Sequence, residues 1–350
     1  MEHTLFISVE SNDLIRILLL GFLGFLVSML ITPVYTTIAY KNHWWKKPRT
    51  TTATGEKATM LMKLKQQAPK RREPRPTMAG LVFVLATAVV TLAFNWSRGE
   101  TWLPLAAFVG AAGVGLIDDV VNLRGGGGGV AGLSAKLKLL LMVLVALVGG
   151  WFFYSKLGVH TVHIPTTGIQ WNIGWLIVPL FVLVVVATAN AVNISDGLDG
   201  LAGGLTVYAF IAYALIAALE QRFGVSAFCL TIVGTLLSYT WFNISPARFM
   251  MGDVGSFALG TALGVVAMLT DTMLLLPIIG LVFVVEAGSS LLQILSKKLR
   301  HGKKIFLIAP IHHHFEALGW PQPKVTMRFW IIGQVAAFLG LIVFLLGHYV

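Results

Sequence analysis

Five aspartates break a sequence that is otherwise close to hydrocarbon. Asp118 and Asp119 lie in GLIDDVVNLRG, Asp196 and Asp199 in NISDGLDG, and Asp253 in MMGDVGS, each where a long apolar run ends or begins. Carboxylates in such places are costly and usually functional. Taken singly, Asp196 and Asp253 read as helix N-caps, because each precedes an apolar run. Asp118 and Asp119 close a run instead, where the helix dipole disfavours anions, and adjacent carboxylates repel each other. Asp196 and Asp199 are three residues apart, with Asn193 three earlier, so a helical turn would align them on one face. Clustered oxygen ligands suit a hard cation such as Mg²⁺, bound with phosphate and water. Glycines beside the acids let backbone N–H groups approach an anion at a helix N-terminus. Carboxylates for a metal next to backbone for phosphate suggest phosphoryl transfer.

A second polar cluster lies near the C-terminus, in KKLRHGKKIFLIAPIHHHFEALGWPQPK. His312, His313 and His314 are consecutive, so they cannot share one helical face and are expected in a loop or short helix. Their spacing is poor for a single zinc ion. Contact with phosphate or sugar from partly protonated imidazole fits better. The five glycines after Arg124 read as a linker, since no Lys-Ser/Thr pair follows to make a P-loop. Lys136 and Lys138 could meet phosphate or serve membrane orientation. His160 and His163 read as surface residues.

The elements that carry these residues follow from composition. Of 350 residues, 56% are hydrophobic and 12% charged, and the mean hydropathy is +0.80. A soluble domain carries about 25% charged residues, so this is an integral membrane protein. Ten apolar spans are expected near 14–40, 78–95, 102–117, 134–156, 173–190, 200–219, 225–242, 254–270, 273–296 and 327–348. The period-two alternation of an outer-membrane barrel is absent, so the chain is all-α and polytopic. All lysines and arginines except Arg16, Arg98, Lys156 and Arg222 fall in odd-numbered loops. The positive-inside rule makes that side cytoplasmic and puts both termini outside. The cytoplasmic loops are then near 41–77, 118–135, 190–199, 243–253 and 297–326, and all five aspartates lie at cytoplasmic ends. VHTVHIPTTGIQWNIGW suggests a small outer hairpin near 158–172. Nothing divides residues 1–350 into more than one transmembrane domain. The first apolar run is too long for a cleaved signal and reads as a retained helix. Cys229, alone, excludes an intrachain disulfide and reads as packing. The net charge of +11 belongs to the loops; no basic patch with exposed aromatics suggests nucleic acid.

The chain resembles the phospho-N-acetylmuramoyl-pentapeptide transferases. The residues that carry the resemblance are PTMAG, GLIDD, GLSAKLK, NAVNISDGLDGLAGG, FMMGDVGSFALG and APIHHHFE, in order from Pro76 to Glu316. DDxxN and DGLDGLA belong to the wider polyprenyl-phosphate N-acetylhexosamine-1-phosphate transferase superfamily; PIHHHFE points to the muramoyl-pentapeptide branch. The resemblance implies transfer from UDP-N-acetylmuramoyl-pentapeptide to undecaprenyl phosphate, giving lipid I and UMP, with Mg²⁺, at a bacterial inner membrane. A homodimer is compatible with it. It also implies roles: Asp253 on the metal; Asp118 and Asp119 orienting or deprotonating the lipid phosphate, or one of them acting as nucleophile; Lys138 and the three histidines at phosphates or sugar. Arg72, Thr77, Asn193, Asp196, Gly197, Leu198, Asp199, Asn243, Met250, Gln293 and Ala309 would bind substrate. The family run Lys-x-Gly-Thr-Pro-Thr-Met-Gly-Gly is replaced by RREPRPTMAG, with Arg72 for the lysine, Glu73 after it and Ala79 for a glycine. Met250 stands where an aromatic often stacks on uracil. The alternatives are a sister transferase for another UDP-N-acetylhexosamine, which the histidine triplet opposes, and a transporter, which the one-sided charges oppose.

Overall fold

The computed structural model describes residues 11–45, 75–125, 132–165 and 167–348. The helices are α1 (Ser11–Lys41), α2 (Gly80–Phe94), α3 (Trp102–Arg124), α4 (Ala135–Ser155), α5 (Ile177–Ser195), α6 (Leu201–Leu219) and α7 (Phe223–Asn243). They continue with α8 (Gly252–Leu269), α9 (Leu276–Ile279), α10 (Leu281–Leu299), α11 (Ile311–Ala317) and α12 (Gln322–His348). Strands β1 (Thr161–His163) and β2 (Gln170–Asn172) pair antiparallel, Val162 opposite Trp171, as the expected hairpin. Arg72, Glu73 and most of the glycine run lie outside the described residues.

Among the described residues, eight helices are long and apolar enough to cross a membrane: α1, α3 to α8 and α12. The other two expected spans also form helices. However, α2 has 15 residues, about 22 Å at 1.5 Å per residue against a core of about 30 Å. In α10, Glu286, Lys297 and Lys298 interrupt the apolar run. The third span extends past the expected boundary to Arg124, so Asp118 and Asp119 lie within its last two turns rather than at its end.

Helix α8 is the axle. Every residue from Gly252 to Leu269 is buried, with α2, α3, α5 and α6 against it. Without a strong hydrophobic drive between helices in lipid, close approach of small residues does the work. A Cβ on Gly115 of α3 would overlap the backbone of Asp253, and one on Gly260 would overlap the backbone of Ala189 in α5. Hydroxyls tie the outer helices together: Ser28 donates to the Thr235 carbonyl at 3.3 Å and Thr87 shares a bond with Thr235 at 3.1 Å. Leu18, Phe22 and Leu30 of α1, Leu140 and Val148 of α4, and Ile331 and Val335 of α12 are exposed, the pattern expected of lipid-facing side chains.

The Gly115 contact is a direct test. Gly115→Ala is expected to lower the thermal midpoint of the detergent-solubilised protein, with a cost of about 1–3 kcal/mol for overpacking. Gly113→Ala on the same helix, where a Cβ meets nothing within 4 Å, should leave the midpoint within error.

Candidate active site

The packing of α3 on α8 brings Asp118, Asp119 and Asp253 together. Their ligand oxygens lie within 4.8 Å of one another, and all three residues are buried. Asp118 and Asp119 occupy the face of α3 that meets α8, at i+3 and i+4 from Gly115. Asp253 lies in the first turn of α8, whose positive dipole end favours a carboxylate. The N-cap of α8 is Met251, so Asp253 is not a cap.

One cation reaches this cluster from a third helix. Ser134 caps α4 by accepting from the Leu137 N–H at 3.3 Å, which places Lys138 in the first turns. Its Nζ lies 2.6 Å from Asp253 Oδ2 and 3.0 Å from Asp118 Oδ2. Lys136, two residues away, is exposed. The Leu133 N–H donates to Asp118 Oδ1 at 2.7 Å, and the Val254 N–H donates to Asp119 Oδ2 at 3.1 Å. Among the described residues, three carboxylates stand against one ammonium, which leaves excess negative charge in a buried place. Burying such charge is strongly unfavourable unless it is paired or holds a metal. Around an ion with bonds of about 2.1 Å, oxygen ligands stand about 3–4 Å apart. The donor set therefore fits a hard divalent cation in size, charge and chemistry.

Residues 75–80 line the cluster. They run beside residues 248–252 through bonds from the Met250 N–H to the Pro76 carbonyl, the Ala79 N–H to the Met250 carbonyl and the Gly80 N–H to the Met251 carbonyl, each 2.9 or 3.0 Å. Gly252, at φ +72°, sits where a Cβ would overlap Asp119 and crowd Thr77. Thr77 is buried beside the acids, and Tyr35 donates to its carbonyl at 2.6 Å.

The DGLDG stretch is a turn, not a helix. Asp196 caps the C-terminus of α5, and α6 starts only at Leu201 after Gly200. Asp196 and Asp199 therefore do not share a helical face: Asp196 is half-buried and Asp199 buried. Asp199 takes a two-oxygen contact from Arg75 at 2.8 and 2.9 Å and a bond from the Ala247 N–H at 3.2 Å. Asn243 accepts from the Gly200 N–H at 2.9 Å and donates to the Phe249 carbonyl at 2.7 Å, which secures the turn. Asn193 donates to Ser256 Oγ at 2.8 Å, and Ser256 is one turn beyond Asp253. Leu198 is buried and Gly197 exposed. A Cβ on Gly197 would overlap His312 Nε2, so this turn links the acidic cluster to the histidines.

The three histidines occupy the short helix α11. His312 is fully buried, with Nδ1 2.7 Å from Glu286 Oε2 on α10. His313 Nδ1 lies 2.6 Å from Glu316 Oε2. His314 Nδ1 accepts from the Leu307 N–H at 3.2 Å, so its neutral ring carries the proton on Nε2. Burial pushes His312 down to about 4 and holds His313 below the usual histidine range, Glu316 opposing in both cases. The expected partly protonated imidazole is thus corrected for these two: both are neutral at pH 7, because burial penalises the cation. Gln293 braces the neighbouring loop, accepting from the Ile305 and Phe306 N–H groups at 3.0 Å and donating to the Phe306 carbonyl at 2.8 Å. Ala309 and Met250 are half-buried at the rim of these loops.

Three residues that sequence reasoning passed over belong here, with Asn122, which the DDxxN motif contains but to which no role was given. Arg75 holds Asp199, Ser256 holds Asn193 and Glu286 holds His312. Asn122 is buried, and neither polar atom of its amide has a hydrogen-bond partner among the described residues. Its spacing of four and three from Asp118 and Asp119 was the available signal; the other three contacts join segments far apart in the chain.

A family profile described as Glycosyl transferase family 4 matches residues 101–271. The phospho-N-acetylmuramoyl-pentapeptide-transferase of Chloroflexus aurantiacus is 38% identical over 347 residues, covering 95% of this chain and 91% of the relative. The protein of the same name from Listeria monocytogenes is 37% identical over 290 residues, covering 80% of this chain and 88% of its own. That from a Geobacillus species is 38% identical over 289 residues, covering 79% and 87%.

If the acidic cluster holds a divalent cation, added Mg²⁺ should raise the thermal midpoint of the purified protein. At 100 times the dissociation constant the gain is about 2.7 kcal/mol. Asp253→Asn is expected to abolish most of that rise without lowering the midpoint in EDTA. An identical Mg²⁺ response in the variant would contradict the assignment.

Proposed function

The chain belongs to the phospho-N-acetylmuramoyl-pentapeptide-transferase family, and on that premise we propose that it moves phospho-N-acetylmuramoyl-pentapeptide from its UDP derivative to undecaprenyl phosphate, releasing UMP and forming lipid I. The reaction takes place at the cytoplasmic face of a bacterial plasma membrane, with α2 and the α9–α10 pair completing ten crossings and both termini outside. The observation that carries the reading is the meeting of Asp118, Asp119, Asp253 and Lys138 from three helices.

One pyrophosphate linkage is broken and another made, so the protein need only position the groups and neutralise developing charge. Asp253, with Asp118 and Asp119 beside it, would hold Mg²⁺, which when bound offsets negative charge on the diphosphate. Asp118 and Asp119 orient the lipid phosphate and accept its proton. Lys138, already between Asp118 and Asp253, meets the phosphates from the α4 side. Thr77 lines the cluster; Arg72 would extend the same loop. Asn193, Asp196, Gly197 and Leu198 receive the nucleotide, with Met250 packing on the base in place of an aromatic ring. Asp199, Asn243, Gln293 and Ala309 shape that pocket, and the histidines contact the donor as neutral groups.

UMP release should require both Mg²⁺ and undecaprenyl phosphate. EDTA, Asp118→Asn, Asp119→Asn and Asp253→Asn are each expected to lower it by at least about 10²-fold, the scale of losing one charge-stabilising group. Lys138→Met should lower it by a similar factor. Wild-type turnover in all three aspartate variants, or release with UDP-N-acetylglucosamine and not the muramoyl-pentapeptide donor, would refute the reading.

A further inference from the structure

Glu286 and His312 form a pair that the phosphoryl-transfer chemistry above does not use. Both are completely buried. Glu286 projects from α10 with Oε2 2.7 Å from His312 Nδ1, while its Oε1 has no hydrogen-bond partner among the described residues. Among the described residues no lysine or arginine forms an ion pair with Glu286. On the other side of the ring, His312 Nε2 is also buried without a protein partner. It lies against Gly197, where an added Cβ would overlap it, in the turn assigned above to the nucleotide.

The distribution of protons follows from charge. If the pair carried a free carboxylate and a neutral imidazole, one uncompensated charge would be buried, with one oxygen unbonded. That arrangement is costly in a low-dielectric interior. A neutral pair with the acid proton on Oε1 would leave that buried O–H without an acceptor among the described residues, so two neutral arrangements remain. A carboxylic acid may donate to Nδ1, or a carboxylate may receive the proton of an imidazolium. In each, Nε2 carries hydrogen. The burial that holds the ring neutral favours the first.

We propose that Glu286 is a positioning residue that shares one proton with His312 and thereby presents the Nε2–H of His312 as a fixed hydrogen-bond donor to an acceptor oxygen of the nucleotide-sugar donor beside Gly197. His312 then cannot serve as a general base through Nε2, because no lone pair faces the substrate. The inference rests on the proposed function only for the identity of the ligand. Its basis is the buried Nε2 with no hydrogen-bond partner among the described residues, since an unsatisfied polar group in such a place is expensive until a ligand pairs with it.

Two measurements test it. Nitrogen-15 NMR of the histidine-labelled full-length protein in detergent, with the His312 signals identified by their loss in His312→Gln, should show Nε2 protonated at pH 7. A protonated Nδ1 with a bare Nε2 would overturn the proposal. That readout needs no turnover, so it stands apart from any failure of the wild-type protein to release UMP, which would sink the proposed function instead. In the assay, Glu286→Gln can still donate an amide N–H to Nδ1 and should keep the donor KM within about threefold. Glu286→Leu cannot, and should raise the KM about tenfold or more, one hydrogen bond's worth, with a smaller change in kcat. Equal loss in both variants would overturn the proposal. Binding of UMP weakened along with the full donor would place the acceptor oxygen on the nucleotide; weakening of the full donor alone would place it on the sugar-peptide part. Unchanged affinity for both in Glu286→Leu would overturn the proposal.

Discussion

The structure is organised around unbalanced charge. Asp118, Asp119 and Asp253 meet where water is largely excluded, and among the described residues Lys138 answers two of them. Coulomb energies grow as the local dielectric falls, so like charges at this separation oppose the packing that holds them. Three rigid elements overcome that repulsion: the small-residue contact of α3 on α8, the N-terminal dipole of α8 and the capped start of α4. The same charge that strains the cluster makes it receptive to a divalent cation and a diphosphate.

Helix α8 lets such a site exist in a membrane protein. It is buried along its whole length, so its N-terminal turn is fixed by neighbours on every side. Glycines at the contacts let backbones approach closely enough that a single added methyl would move the carboxylates. Mobile apolar side chains are left to the rim, on α1, α4 and α12, where lipid can accommodate them. The chemistry and the membrane anchoring are therefore separated radially in the bundle.

Loops far apart in the chain are tied to one another around these residues, and much of their polarity is structural. Arg75 on Asp199, Asn243 between Gly200 and Phe249, and Gln293 on the loop before the histidines each hold one segment against another. Such residues hold the loops in place. His312 differs, because one ring nitrogen is held and the other is left unused by the protein.

The sequence alone determined the class of protein and the kind of chemistry. Too few charges to cover a water-facing surface imply a membrane bundle, and the apolar runs predict where the helices lie, although α3 extends beyond its run to Arg124 and the ninth run divides into α9 and α10. Paired aspartates, glycine-flanked acids and three adjacent histidines pointed to oxygen ligands and phosphate, because those types are too costly beside lipid to be incidental. Tertiary structure alone decided which acids meet. Asp253 joins Asp118 and Asp119 across 133 intervening residues through a backbone contact at Gly115, which periodicity does not encode. It also decided that DGLDG is a turn, since glycine and the Asn243 bonds override the helical spacing of Asp196 and Asp199, and that His312 and His313 are neutral, since burial depends on what packs over them. Contacts such as Arg75 with Asp199 or Glu286 with His312 leave no local trace in the sequence, because each partner looks ordinary until the chain brings the other beside it.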